Sequence, residues 1–81
     1  MYFVYILKSL TNDRLNTGST NNLERRLYEH NLGKSKYTRL TKPFKLVYKE
    51  EYKTRVEAYK RELFFKTGKG RELLKILINQ G

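Results

Sequence analysis

Residues Tyr2 to Lys8, YFVYILK, form a near-continuous run of β-branched and aromatic residues, which predicts a strand buried on both faces. In a chain of only 81 residues that strand dictates the rest, because the other elements must cover it. Thr11 to Arg14 is a turn cluster, so Arg14 to Ser19 is expected to return antiparallel as the polar second arm of a hairpin. Asn21 with Glu24 reads as a helix N-terminus, Leu23, Leu27 and His30 mark one face of that helix, and Gly33 ends it. Lys34 to Lys42 reads as a basic loop, and Pro43 leads into a third strand from Phe44 to Tyr52. Thr54 and Glu57 form a capping box that opens a second helix running to about Lys66. Gly68 to Gly70 is expected to break it, with Arg71 to Ile78 as a short closing helix.

The predicted order is therefore ββαβαα, an α+β fold in which a small three-stranded antiparallel sheet is flanked by helices. Residues 1–81 are read as a single domain, the size at which about 60% of the unfolded surface is buried.

Such a small fold cannot hide its charge. Eighteen Lys plus Arg against eight Asp plus Glu leave a net charge of +10, so the surface potential must be strongly positive and the natural partner is a polyanion. Nucleic acid fits best, because neutralising phosphates releases counterions. DNA is the preferred reading, with RNA kept open. A membrane surface fits less well, since the basic residues are scattered and no single long amphipathic helix gathers them. The apolar start MYFVYIL is far too short to span a bilayer and has no basic region before it. No cysteine is present, which excludes disulfides, thiolate chemistry and Cys-ligated zinc. A cytoplasmic monomer is expected.

Three residues stand out for chemistry. Arg26 and His30, the only histidine, lie one turn apart beside the Leu23 and Leu27 stripe. There an arginine can hold a phosphate by two parallel hydrogen bonds and a histidine can orient it or move a proton, although a lone histidine on an apolar face is more often structural. Glu62 falls in line with Ala58 and Phe65 on the second helix. It reads either as an ion pair with Lys66 or as a half-buried carboxylate that needs a partner such as a divalent cation. Glu57 and Arg61 read as a plain i, i+4 pair. The tyrosines amid basic residues, Tyr37 among them, suit nucleic acid but also suit a core. The spacing of Gly68 and Gly70 fits no glycine-rich phosphate loop, and a serine triad lacks support.

Taken together, the blocks resemble the GIY-YIG nuclease family, in particular its small single-domain bacterial members. Phe3-Val4-Tyr5 stands where the family has Gly-Ile-Tyr, Asn16-Thr17-Gly18 where it has Tyr-Ile-Gly, and LERRLYEHN, from Leu23 to Asn31, matches its arginine helix. KYTR, KPFKLVYKE and EAYKRE extend the similarity over almost the whole chain. The resemblance implies a metal-dependent endonuclease. By its pattern Arg26 contacts the scissile phosphate, His30 supports the site, Glu62 holds a single Mg²⁺ or Mn²⁺, and Tyr5 positions or deprotonates the attacking water. Arg25, Lys34, Lys36, Arg39, Lys69 and Arg71 are expected to contact nucleic acid. One departure is visible: Asn16 replaces the tyrosine of the second motif, and an amide cannot accept a proton near neutral pH. The alternative reading is accordingly a nucleic-acid-binding module with impaired or lost catalysis.

Overall fold

The computed structural model describes residues 1–80. Strand β1 (Tyr2–Ser9) is central, flanked by β2 (Leu15–Thr20) and β3 (Phe44–Tyr52) in the order β2-β1-β3, and both pairings are antiparallel. Helices α1 (Leu23–Leu32), α2 (Lys36–Thr41), α3 (Arg55–Phe65) and α4 (Gly68–Gln80) complete the fold. The expected three-stranded antiparallel sheet flanked by helices is present, with one helix more than the sequence suggested.

The apolar run behaves as its composition requires. Val4, Tyr5, Ile6 and Leu7 are all buried, and alternation sends them to opposite faces of the sheet. Val4 and Ile6 pack with Ala58 and Phe65 of α3 and Leu74 of α4, whereas Tyr5 and Leu7 pack with Phe44 and with Leu23 and Leu27 of α1. Helices thus cover both faces, and β1 lies between two small cores. Between β1 and β3 the register shifts at Ile6 and Leu7, which pair with Tyr48 and Leu46 and leave Val47 as a bulge.

Three expectations at element ends are corrected. Helix α1 is capped by Asn22 rather than Asn21: the Asn22 side chain accepts from the Arg25 backbone N–H at 3.0 Å, while Glu24 complements the positive helix end. Gly33 closes α1 in the left-handed conformation, as expected. The segment read as a basic loop contains α2, started by a reciprocal box in which Ser35 Oγ accepts from the Thr38 N–H at 3.1 Å and the Ser35 N–H donates to Thr38 Oγ1 at 3.2 Å. The expected break after α3 is present at Lys66 and Thr67, but Gly68 to Gly70 is not part of it and opens α4, since Thr67 Oγ1 accepts from the Gly70 N–H at 3.1 Å and the Thr67 carbonyl from the Arg71 N–H at 2.9 Å. Glycine is needed at position 70 because a Cβ there would run into the Phe64 carbonyl at the end of α3.

Candidate active site

The site grows from one cross-strand pair. Tyr5 on β1 faces Gly18 on β2, and its buried ring crosses the glycine so closely that a Cβ at position 18 would overlap the phenol hydroxyl. Side-chain space at Gly18 is therefore what lets the Tyr5 oxygen reach the edge of the sheet. There Arg26 Nε, from α1, donates to it at 3.1 Å. That hydrogen bond is the largest cause of an Arg26 pKa raised above its ordinary value, with smaller electrostatic contributions from Glu29 and Glu62 set against slight burial. One turn further along α1, His30 Nδ1 sits 3.0 Å from the Arg26 carbonyl. A carbonyl only accepts, so Nδ1 carries a proton. The imidazole meets Phe44 edge-on at 5.4 Å between centroids and Tyr5 at 6.3 Å, which fixes its plane.

Glu62 arrives from the other face of the sheet. It projects from α3, where Ala58 and Phe65 pack on the Val4 and Ile6 side, and its side chain is only 14% exposed. Ser19, the neighbour of Gly18, donates to Glu62 Oε1 at 2.7 Å, and Lys66 Nζ lies 2.9 Å from Oε2. Arg26 and Glu62 thus converge around the edge strand β2, one from each side, near enough for the carboxylate to contribute to the shift at Arg26. The Glu62–Lys66 pair read from the sequence is present alongside this arrangement.

Two basic hollows adjoin this centre. The first, about 390 Å³, is lined by Ser19, Thr20 and Asn21 at the end of β2, Arg25 and Arg26 of α1, and Arg55 of α3. Arg25 also pairs with Glu29 at 3.8 Å. The second, about 670 Å³, lies at the other end of β2 and includes Asn16, Tyr37, Lys66 and Arg71. Lys34, Lys36, Arg39 and Lys69 are exposed and line neither hollow, so the six cations named from the sequence do not form one patch. Asn16 Nδ2 is buried with no hydrogen-bond partner among the described residues. Nor among those residues do three or more His, Asp or Glu gather into a metal-binding group, which leaves Glu62 as a single carboxylate.

Sequence reasoning missed Ser19 and Arg55, whose roles depend on contacts 43 residues apart in one case and on the α1–α3 juxtaposition in the other. It also mispaired Arg61. That guanidinium bonds not Glu57 but Glu50 on β3, at 2.9 and 3.3 Å, while Glu57 Oε1 accepts from the Thr54 hydroxyl at 2.9 Å, a side-chain bond in place of the reciprocal half of the expected capping box. Glu50 further accepts from Tyr48 at 2.5 Å and Tyr52 at 2.7 Å. Burial alone would push the Glu50 carboxyl up, but the bonds from Arg61, Tyr48 and Tyr52 together hold it below its usual value. Burial and the same carboxylate push Tyr48 up to about 12.

Known proteins share this architecture. The profile described as the GIY-YIG catalytic domain matches residues 1–75. A UPF0213 protein of Staphylococcus haemolyticus is 42% identical over 77 residues, covering 94% of this chain and 93% of the relative. One from Clostridium perfringens is 49% identical over 67 residues, covering 82% of this chain and 71% of the relative. The solution NMR structure of a UPF0213 protein from Bacillus halodurans aligns with a TM-score of 0.57 and 33% identity, over 95% of this chain and 85% of that one. With a profile that spans nearly its whole length and relatives this similar, the chain belongs to the GIY-YIG family, a nuclease family.

Proposed function

We propose that the protein is a metal-dependent endonuclease hydrolysing phosphodiester bonds in DNA, with Tyr5, Arg26, His30 and Glu62 at its reaction centre. The observation that carries this reading is the convergence of Arg26 and Glu62 around Gly18 and Ser19, beside a hollow whose charged lining is three arginines. With Nε held by Tyr5, the two terminal nitrogens of Arg26 make no hydrogen bond among the described residues and suit two phosphate oxygens. The arginine would neutralise charge that grows on the phosphoryl oxygens. Tyr5, whose oxygen accepts from Arg26, has its own hydroxyl hydrogen available to orient a water. His30 holds the turn of α1 that carries Arg26.

The donor set fits a single Mg²⁺ or Mn²⁺. Such ions keep several waters and need only one or two carboxylates plus substrate phosphates, and an ionised carboxylate retains lone pairs beyond those used by Ser19 and Lys66. Glu62 would hold the ion, which when bound would supply Lewis-acid stabilisation of charge on the phosphate. In the reaction, water oxygen bonds to phosphorus, the bond to the leaving oxygen breaks, and the proton lost by water ends on that oxygen.

The test is nicking of supercoiled plasmid with Mg²⁺ or Mn²⁺. Glu62→Gln and Arg26→Ala are each expected to slow nicking by about 10²–10³, the usual cost of losing one transition-state contact. Identical, EDTA-insensitive backgrounds from wild type and Glu62→Gln would end the reading. Asn16 favours a second one, a nucleic-acid-binding module with impaired catalysis, because its amide nitrogen has no partner among the described residues and an amide cannot serve as a base. That reading expects salt-sensitive binding without turnover.

A further inference from the structure

The second hollow has no role in the chemistry above, and neither does the KYTR block that supplies Tyr37. Its lining combines four cations, Arg14, Lys66, Arg71 and Lys75, with the exposed ring of Tyr37. At about 670 Å³ it falls within the roughly 300–1,000 Å³ of pockets that hold small molecules, which is room for a nucleotide. Its position is as informative as its content. Asn16 borders this hollow and Thr20 borders the first, so the two open at opposite ends of the same edge strand. Along α3 the same order repeats: Ala58 borders the first hollow, Lys66 borders the second, and Glu62 stands between them, bonded to Ser19 of the first and Lys66 of the second. From Asn16 to Thr20 the strand rises about 13 Å at ~3.3 Å per residue. That distance is short enough for one continuous single strand to reach both hollows.

We infer that a single polynucleotide strand tracks along the β2 edge through both hollows, with a flanking phosphate on Arg71 and Lys75 and an unpaired base stacked on Tyr37. The inference rests on the nuclease reading for the phosphate placed at Arg26, and it adds a substrate class: nucleic acid with a short unpaired segment beside the scissile bond. A base within a duplex is stacked on its neighbours and cannot present its face to a side chain, so an aromatic platform in a cationic groove selects for unpaired strands.

The test is fluorescence anisotropy in EDTA with a labelled dT12 oligonucleotide and a 12-base-pair duplex, where no turnover is possible. Wild type is expected to bind the single strand more tightly. Tyr37→Ala should weaken that binding about tenfold, within the range of one lost base stack, whereas Tyr37→Phe, which keeps the ring, should retain it. The Arg71→Ala/Lys75→Ala pair should weaken binding and flatten its salt dependence. Tight binding to dT12 that Tyr37→Ala and the Arg71/Lys75 pair leave unchanged would overturn the track while leaving the nuclease reading intact. Equal affinity of wild type for strand and duplex would overturn the substrate class. Normal binding with these sensitivities but no nicking by wild type would instead remove the catalytic reading and keep the track.

Discussion

Gly18 is the position where one residue sets the geometry of the whole site. Nothing about a glycine in a polar strand distinguishes a turn from a close approach, yet here the absent Cβ is space taken by the Tyr5 hydroxyl. Gly18→Ala must displace the ring or the strand, since the added carbon would also lie 2.6 Å from Tyr5 Cζ. Its cost in unfolding free energy is expected to be about 1–3 kcal/mol, the usual range for overpacking, measured by urea denaturation. Combined with Tyr5→Phe the penalty should shrink, because one of the overlapping atoms is gone; equal penalties in both backgrounds would place the strain elsewhere. Asn16, two residues earlier, poses the reverse problem, a buried amide nitrogen with no hydrogen-bond partner among the described residues.

At the scale of elements, β3 and α3 are joined by a polar cluster rather than by apolar packing alone. Glu50 accepts from Arg61, Tyr48 and Tyr52, and the Arg61 guanidinium lies 4.4 Å from the Phe65 ring centroid. Because α3 also carries Glu62, this cluster fixes the helix that presents the carboxylate. The folded-state pKa of Glu50 is depressed, so its contribution to stability is present above the unfolded value, 4.5, and is lost as pH falls through the folded value. Glu50→Gln should therefore destabilise the protein by about 1–3 kcal/mol at pH 7. The difference from wild type should narrow in urea titrations near pH 3, and a difference that does not change with pH would remove the ionised form of Glu50 as its source.

The whole molecule, about 29 × 25 × 21 Å and carrying +10, presents basic surface at both ends of β2. No helix among the described residues is long and apolar enough to cross a membrane. Seven lysines and arginines line the two hollows. If all met phosphates, log affinity for a single strand would fall against log salt with a slope of about −5, at ~0.7 per contact. A slope between about −3 and −5 is expected from binding titrations across salt; a slope near zero would mean that the charge does not serve nucleic acid.

Much of this architecture was legible in the chain itself, because the signals were local. The β-branched run dictated a buried central strand, Gly33 and Thr54 set helix ends by backbone and side-chain chemistry within one turn, and the spacing of Arg26 and His30 put them on one helix face. Helix α2 was not legible because its box uses Thr38 where the more familiar pattern has a glutamate or glutamine. Glu50 could not be chosen over Glu57 as the partner of Arg61, since only the packing of α3 on β3 brings it within reach. The site itself belongs to the tertiary structure. Arg26 and Glu62 sit on opposite faces of the sheet, and only because β2 is an edge strand, narrowed by Gly18 and bridged by Ser19, do groups held on two sides of a layer meet around one edge.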